Sequence, residues 1–241
     1  MEENLKKKTI NGMLWQFLQK ISGQLISFII SVILARILSP SDYGLVALAG
    51  MFLVLMGIFS NGGLAPALIQ KKEVDDEELN TMFVTQLVFA SILYVIVFFC
   101  APIFAGFFKS VNTPLLISVI RVLALTMPLG SLIGVQYAVV TRRLMFKWYF
   151  YANLVSLVVS GSIGLYMAYN GYGAWALVGQ SISSTITSTI VIFCLLDWHP
   201  KFRFSYSCFK PLFSQGLKYM GTTLIGTITS QVKGYALGLK Y

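Results

Sequence analysis

Charge is what this sequence has least of. Asp, Glu, Lys and Arg make up 11% of its 241 residues, where a soluble domain carries about 25%. Histidine occurs once, as His199 in the polar stretch LLDWHPKF, where a solvated loop residue is expected. The three cysteines, Cys100, Cys194 and Cys208, stand far apart with no CxxC or Cys/His spacing. That argues against a zinc site or a disulfide framework, and no cofactor is expected. Also missing are a P-loop, a dinucleotide fingerprint, a Ser/His/Asp constellation in motif context and paired acids facing a cavity. Catalysis therefore finds little support, and a non-enzyme is expected. The acidic EVDDEEL reads as a solvated loop and helix start rather than a metal site.

Apolar residues are what the chain has in abundance: 56% are hydrophobic, and mean hydropathy is +0.76. A membrane helix needs about 20 mostly apolar residues. Six runs meet that length: 12–38, 43–69, 81–108, 114–140, 149–169 and 172–196. A weaker seventh begins near Leu212 and carries Lys218, Lys233 and several threonines. The expected fold class is all-α, a polytopic membrane helix bundle. Residues 1–11 form an N-terminal segment, 12–196 a six-helix lobe, 197–211 a connection and 212–241 the start of a seventh helix. The lysines before the first run resemble a signal peptide, but the run outlasts a secretory h-region of about 7–15 residues and is read as a retained span.

The connections are short, and no loop is long enough to fold as a soluble domain. One alternate set holds eleven lysines and arginines, from Lys6 to Lys210; the other holds Arg36 and Lys109. By the positive-inside rule the first set, and the N-terminus with it, is cytoplasmic. The net charge of +9 lies between membrane runs, with no RNA-binding signature, so nucleic acid is not an expected partner. Asn170–Gly173 reads as a tight turn. Pro66 and Pro128 are expected to kink their spans, and Asn61, beside two glycines, marks an irregular point in the second.

The sharpest signal is the placement of the cations. All nine carboxylates lie outside the runs or at their ends, whereas Lys20, Arg121, Lys218 and Lys233 fall within them. A charge at mid-bilayer costs about 2.5–3.5 kcal/mol on insertion scales, so such residues face a partner or a wet cavity. With no intramembrane acid, an anionic ligand is the natural partner, and phosphate suits a guanidinium fork. The competing reading is snorkelling to the headgroups, which Lys218 favours; Arg36 reads as an interfacial anchor. Gln16, Lys20, Gln24, Ser27 and Ser31 share one helical face, as the wall of a wet lumen would. Two weaker stripes, Asn153/Ser156/Ser160 and Gln180/Ser184/Thr187/Ser188, read as ordinary helix packing.

The segments LARILSP, DYGLVAL and NGGLAPALIQKK, with the Trp15 helix before them and YAVVTRRLMFKW and GYGAWALVGQ after, keep a characteristic order and spacing. In these the chain resembles the bacterial polysaccharide-export flippases of the multidrug/oligosaccharidyl-lipid/polysaccharide exporter superfamily. The resemblance runs to about Gln231 and covers one lobe of a two-lobed fold. Lys233 stands where the family usually has an acid, and the chain is expected to be a truncated member. The resemblance implies flipping of a polyprenyl-pyrophosphate-linked oligosaccharide across the bacterial cytoplasmic membrane for O-antigen, capsule or exopolysaccharide assembly. Two lobes would rock by alternating access. Arg121 and Lys20 would hold phosphates, Gln16 and Gln24 sugar hydroxyls, and Lys218 and Lys233 complete the candidate set. Membrane lipids, a polysaccharide polymerase and glycosyltransferases would be partners. The alternatives are a multidrug exporter of the same superfamily, a membrane sugar polymerase or ligase, and an inert fragment.

Overall fold

The computed structural model describes residues 2–61, 63–71, 74–108 and 112–240, with side chains between 11 and 229 except at 55, 58, 60, 61, 224, 227 and 228. Lys72, Glu73 and Lys109 lie outside the described residues, as do the side chains of Lys6, Lys7, Lys8, Asn61 and Lys233. Among the described residues the secondary structure is helical: α1 Glu2–Ile37, α2 Pro40–Asn61, α3 Leu64–Gln70, α4 Asp76–Gly106, α5 Thr113–Leu123, α6 Thr126–Arg143, α7 Phe146–Tyr169, α8 Ala174–Leu195 and α9 Tyr206–Lys240. Five stretches among them are long and apolar enough to cross a membrane, with α5 and α6 together forming one; α2 adds a shorter apolar stretch, Pro40–Val54. The chain is a multi-pass helical membrane bundle.

Local chemistry sets the helix ends. Ser39, Pro40 and Asp42 open α2 as a capping box with proline at the first helical position. The Asp42 amide donates to Ser39 Oγ at 3.3 Å, and the Ser39 amide donates to Asp42 Oδ2 at 3.1 Å. The second Asp42 oxygen accepts from the Ala174 amide at 3.0 Å, so one carboxylate caps both α2 and α8. The α7–α8 turn uses positive φ at Gly171 (79°) and Gly173 (55°), as the sequence leads one to expect. Between α6 and α7, Leu144 takes the left-handed conformation while the Met145 amide donates back to Val140 at 2.9 Å.

Two expected spans are broken helices, each for a reason one step removed from its proline. The second run is not one kinked helix. It stops near Gly63, whose φ of 63° an L side chain rarely adopts. A Cβ there would lie 2.2 Å from the Gly216 carbonyl oxygen on α9. Pro66 is not the kink: it sits in the first turn of α3, where its missing N–H goes unneeded. In the fourth run the interruption falls at Ala124–Leu125 rather than at Pro128. Proline cannot donate to the carbonyl four residues back, Ala124, and Met127 donates to it instead, at 3.0 Å.

α7 packs most extensively on α8 and next on α1; α4 packs on α6 and α5. Small residues bring the α1–α7–α8 backbones close: a Cβ at Gly161 would meet Ile30 Cδ1 at 2.3 Å, and one at Gly179 would meet Met167 Sδ at 2.4 Å. Two apolar clusters sit at opposite ends of the bundle. One joins α2, α4, α5 and α8 around Phe52, Val97 and Leu116; the other joins α3, α4, α6 and α9 around Leu68, Met82 and Val139. Outside them is a wide apolar surface, including Phe28, Val88, Phe99 and Ile103. It is a lipid-facing belt rather than a water-facing patch. Lys147 lies about 6 Å from the rings of Trp15, Trp148 and Tyr151, an aromatic and cationic girdle.

Candidate functional site

The cations expected to act together are held on different helices. Arg121 is at the end of α5, half-buried, with its Nε donating to the Phe98 carbonyl of α4 at 3.2 Å and its guanidinium 4.1 Å from the Phe98 ring centre. Lys20 is exposed on α1, which rests on α7 through Gly23, Ile30 and Leu34. Gln16 is half-buried beside it; Gln24, Ser27 and Ser31 are exposed, so the stripe flanks the packed face of α1 rather than filling it. Lys218 is exposed on α9 and borders a groove against α3, where the Tyr219 hydroxyl donates to Gln70. Arg142, by contrast, caps the end of α3 by donating to the Leu68 carbonyl at 2.8 Å. Neither Lys20, Arg121 nor Lys218 has an ion-pair partner among the described residues, where Lys71 pairs with Glu78.

What converges between α4, α6, α7 and α8 is neutral. A hollow of about 400 Å³ lies between α4, α6, α7 and α8, with Ala65 of α3 at its margin. Its polar wall is Gln86 from α4, Thr126 and Tyr137 from α6, Tyr149, Asn153 and Ser156 from α7, and Ser184, Thr185 and Ser188 from α8. Glycines 130 and 134 thin the α6 side; a Cβ at Gly134 would come within 2.6 Å of Gln86 Oε1. The Ser156 and Ser184 hydroxyls meet at 3.3 Å, and the Tyr137 and Tyr149 rings lie edge to face with centres 5.3 Å apart. Gln86 is 3% exposed, and its Oε1 is buried without a hydrogen-bond partner. Gln86, Ser156 and Ser184 each lie about 15 Å of helical rise from the same end of the bundle, near the middle of a hydrocarbon core of about 30 Å. Among the described residues no cluster of three or more His, Cys, Asp or Glu stands ready for a metal ion.

The two stripes expected to be plain packing thus supply much of this wall: Asn153, Ser156, Ser184 and Ser188 face the hollow. Gln86, Tyr137 and Tyr149 escaped the sequence reading. The signal available for Gln86 was an amide deep in the most apolar run, the same signal used for Gln16.

At one end of the bundle the α8–α9 connection is strapped across α4 and α6. The Lys201 amide donates to Asn80 Oδ1 at 2.6 Å, the Ser205 amide to Thr81 Oγ1 at 3.2 Å, and Gln136 Nε2 to the Trp198 carbonyl at 3.2 Å.

Comparison with known proteins adds an independent line. The profile of a family described as polysaccharide biosynthesis protein matches residues 33–241. The chain is 26% identical over 217 residues to the succinoglycan biosynthesis transport protein ExoT of Rhizobium meliloti (strain 1021), covering 90% of this chain and 43% of that protein. It is 21% identical over 240 residues to the teichuronic acid biosynthesis protein TuaB of Bacillus subtilis (strain 168), covering 98% of this chain and 48% of that one. The lipopolysaccharide biosynthesis protein WzxC of Escherichia coli (strain K12) is 26% identical over 122 residues, 51% of this chain and 24% of its own. The chain spans about half the length of the first two relatives. No solved structure matches.

Proposed function

Because the chain belongs to the polysaccharide biosynthesis protein family, we propose that it serves polysaccharide export by moving a polyprenyl-pyrophosphate-linked oligosaccharide from the inner to the outer leaflet of the bacterial cytoplasmic membrane. The observation that carries this reading is the outward-turned stripe of α1. Lys20 is exposed, flanked by Gln16 and Gln24, and unmatched by any acid among the described residues. A cation in that setting attracts the pyrophosphate, and the amides beside it suit sugar hydroxyls. The path runs along this face of α1, between residues 12–196 and a second helical bundle, and the two rock by alternating access. The polyprenyl tail stays in the lipid.

The excess of Lys and Arg in one set of connections supports a cytoplasmic N-terminus. An inside-negative potential aids outward movement of the anionic headgroup by about 2.3 kcal/mol per charge per 100 mV. Glycosyltransferases would supply this substrate and a polymerase would consume it. A multidrug exporter would want a buried carboxylate or an aromatic cage for an organic cation; the hollow's lining contains no acid.

The test uses a strain that lacks its own exporter and accumulates one lipid-linked oligosaccharide on the inner leaflet. The chain is expressed there alone and fused to the second half of the succinoglycan relative. Either form is expected to raise the share of the glycolipid open to a membrane-impermeant lectin. No rise in either, with both inserted in the membrane, overturns the reading.

A further inference from the structure

We infer that the hollow between α4, α6, α7 and α8 is a binding site for a neutral, hydroxyl-rich saccharide, separate from the cation stripe of α1. The inference rests on the export reading and deepens it by adding, beyond the α1 amides next to the pyrophosphate, a second receiver for the saccharide of the same glycolipid.

The wall's chemistry selects the ligand. No Asp, Glu, Lys, Arg or His lines the hollow, so a phosphate would enter uncompensated, as would an organic cation. Serine and threonine hydroxyls and the Asn153 amide both donate and accept, which suits groups that also do both. The long Ser156–Ser184 contact, 3.3 Å, leaves those hydroxyls free to turn toward a better partner. The Tyr137–Tyr149 pair adds apolar ring surface for the C–H face of a pyranose. The volume, about 400 Å³, falls within the range of about 300–1,000 Å³ typical of small-molecule sites.

Gln86 points most directly to an occupant. Its Oε1 has no protein donor and almost no accessible surface of its own, on a side chain 97% buried at the edge of the hollow, so a turn of the terminal amide about its soft last torsion is what presents it to an occupant. A buried acceptor left unmatched at this depth is costly, and a sugar hydroxyl is the donor that fits. Gly134 is part of the same device, since its missing Cβ is what leaves room for the amide.

The experiment measures binding to the chain in nanodiscs with two probes: geranyl pyrophosphate, and geranyl pyrophosphate carrying glucose or N-acetylglucosamine. Three variants are compared with the wild type. Gln86→Leu removes the acceptor at similar volume. Gly130→Leu fills the hollow from a position with nothing within 4 Å of its ideal Cβ. Lys20→Ala removes the cation. At least one sugar-bearing probe is expected to bind wild type more tightly than the sugar-free one. Gln86→Leu and Gly130→Leu should each weaken that probe by roughly three- to tenfold, the worth of one or two hydrogen bonds, and leave the sugar-free probe unchanged. Equal wild-type affinity for all probes overturns the inference, as does unchanged sugar-probe affinity in both variants, which would mean the hollow holds water alone. If the sugar effect persists while Lys20→Ala changes neither probe, the cation role of α1 fails and the saccharide site stands. If no probe binds, both fall.

Discussion

Arg121 donates its Nε proton to the carbonyl oxygen of Phe98, and Phe98 is the residue whose helical donor Pro102 has removed. In α4 that carbonyl would accept from the amide four residues on, but proline has none. The cation in the apolar run thus holds an orphaned backbone acceptor on the neighbouring helix, with the Phe98 ring against its charge. Arg121→Ala should cost about 1–3 kcal/mol, and Arg121→Lys less, since an ammonium also donates. In a Pro102→Ala background, alanine supplies the missing N–H and the cost of Arg121→Ala should fall to less than half. Unfolding of the four proteins in micelles gives the cycle. Equal costs in both backgrounds would show that Arg121 does not act through this carbonyl.

Asp42 ties the start of α2 to the start of α8, with one oxygen on Ser39 and the other on Ala174. Two helix N-termini gain an anion from one side chain. Asp42→Ala should destabilise the bundle by about 2 kcal/mol, the upper end for an N-cap. Asp42→Asn, which keeps a single acceptor oxygen, should lose about half as much. Thermal unfolding in detergent checks the order, and an asparagine variant as weak as the alanine one would contradict it.

These two contacts show what a sequence reading reaches and what it misses. The spans were legible because membrane thickness imposes a length on apolar runs, but the α2 start was not read: SPSD counted as a connection, and its capping box opens the helix at Pro40, ahead of the expected run 43–69. The interruptions stand away from the prolines for different reasons: Pro128 acts on the carbonyl four residues earlier, so its break appears at Ala124, whereas the second run breaks at Gly63, where a positive φ and the approach of Gly216 require glycine. The site was harder. Periodicity tells that Asn153 and Ser156 share a face, but not what that face meets. The hollow needs Gln86 and Tyr137 from two further helices, and α6 lacks side chains at Gly130 and Gly134 to close it. Arg121 was legible as an anomaly; its partner lies 23 residues back on another helix.

Gly161 lets α1 lie against α7. An added Cβ would meet Ile30 Cδ1 at 2.3 Å, closer than real contacts come, so Ile30 must repack. Gly161→Ala is expected to cost about 1–3 kcal/mol as overpacking, against a small gain in helix propensity. Ile30→Ala in the same chain removes the colliding atom and should cost less there than in wild type. The sign of that coupling, read from paired unfolding curves, decides the matter; simple additivity would mean the two helices are not held at this point.

Lys20 separates stability from transport. Its side chain is exposed and makes no ion pair among the described residues, so Lys20→Ala should leave unfolding within about 0.5 kcal/mol of wild type. If the ammonium meets the pyrophosphate of the passing glycolipid, the same change removes a charge-assisted hydrogen bond worth about 1.5–3 kcal/mol. The rate at which the lipid-linked oligosaccharide reaches the outer leaflet should then fall roughly tenfold to a hundredfold. Lys20→Arg keeps the charge and should retain most of the rate; Lys20→Gln keeps hydrogen bonding without charge and should resemble the alanine variant. Snorkelling to the headgroups predicts a different pattern, in which all three variants transport normally. Full transport by Lys20→Ala and Lys20→Gln would therefore remove α1 from the phosphate path.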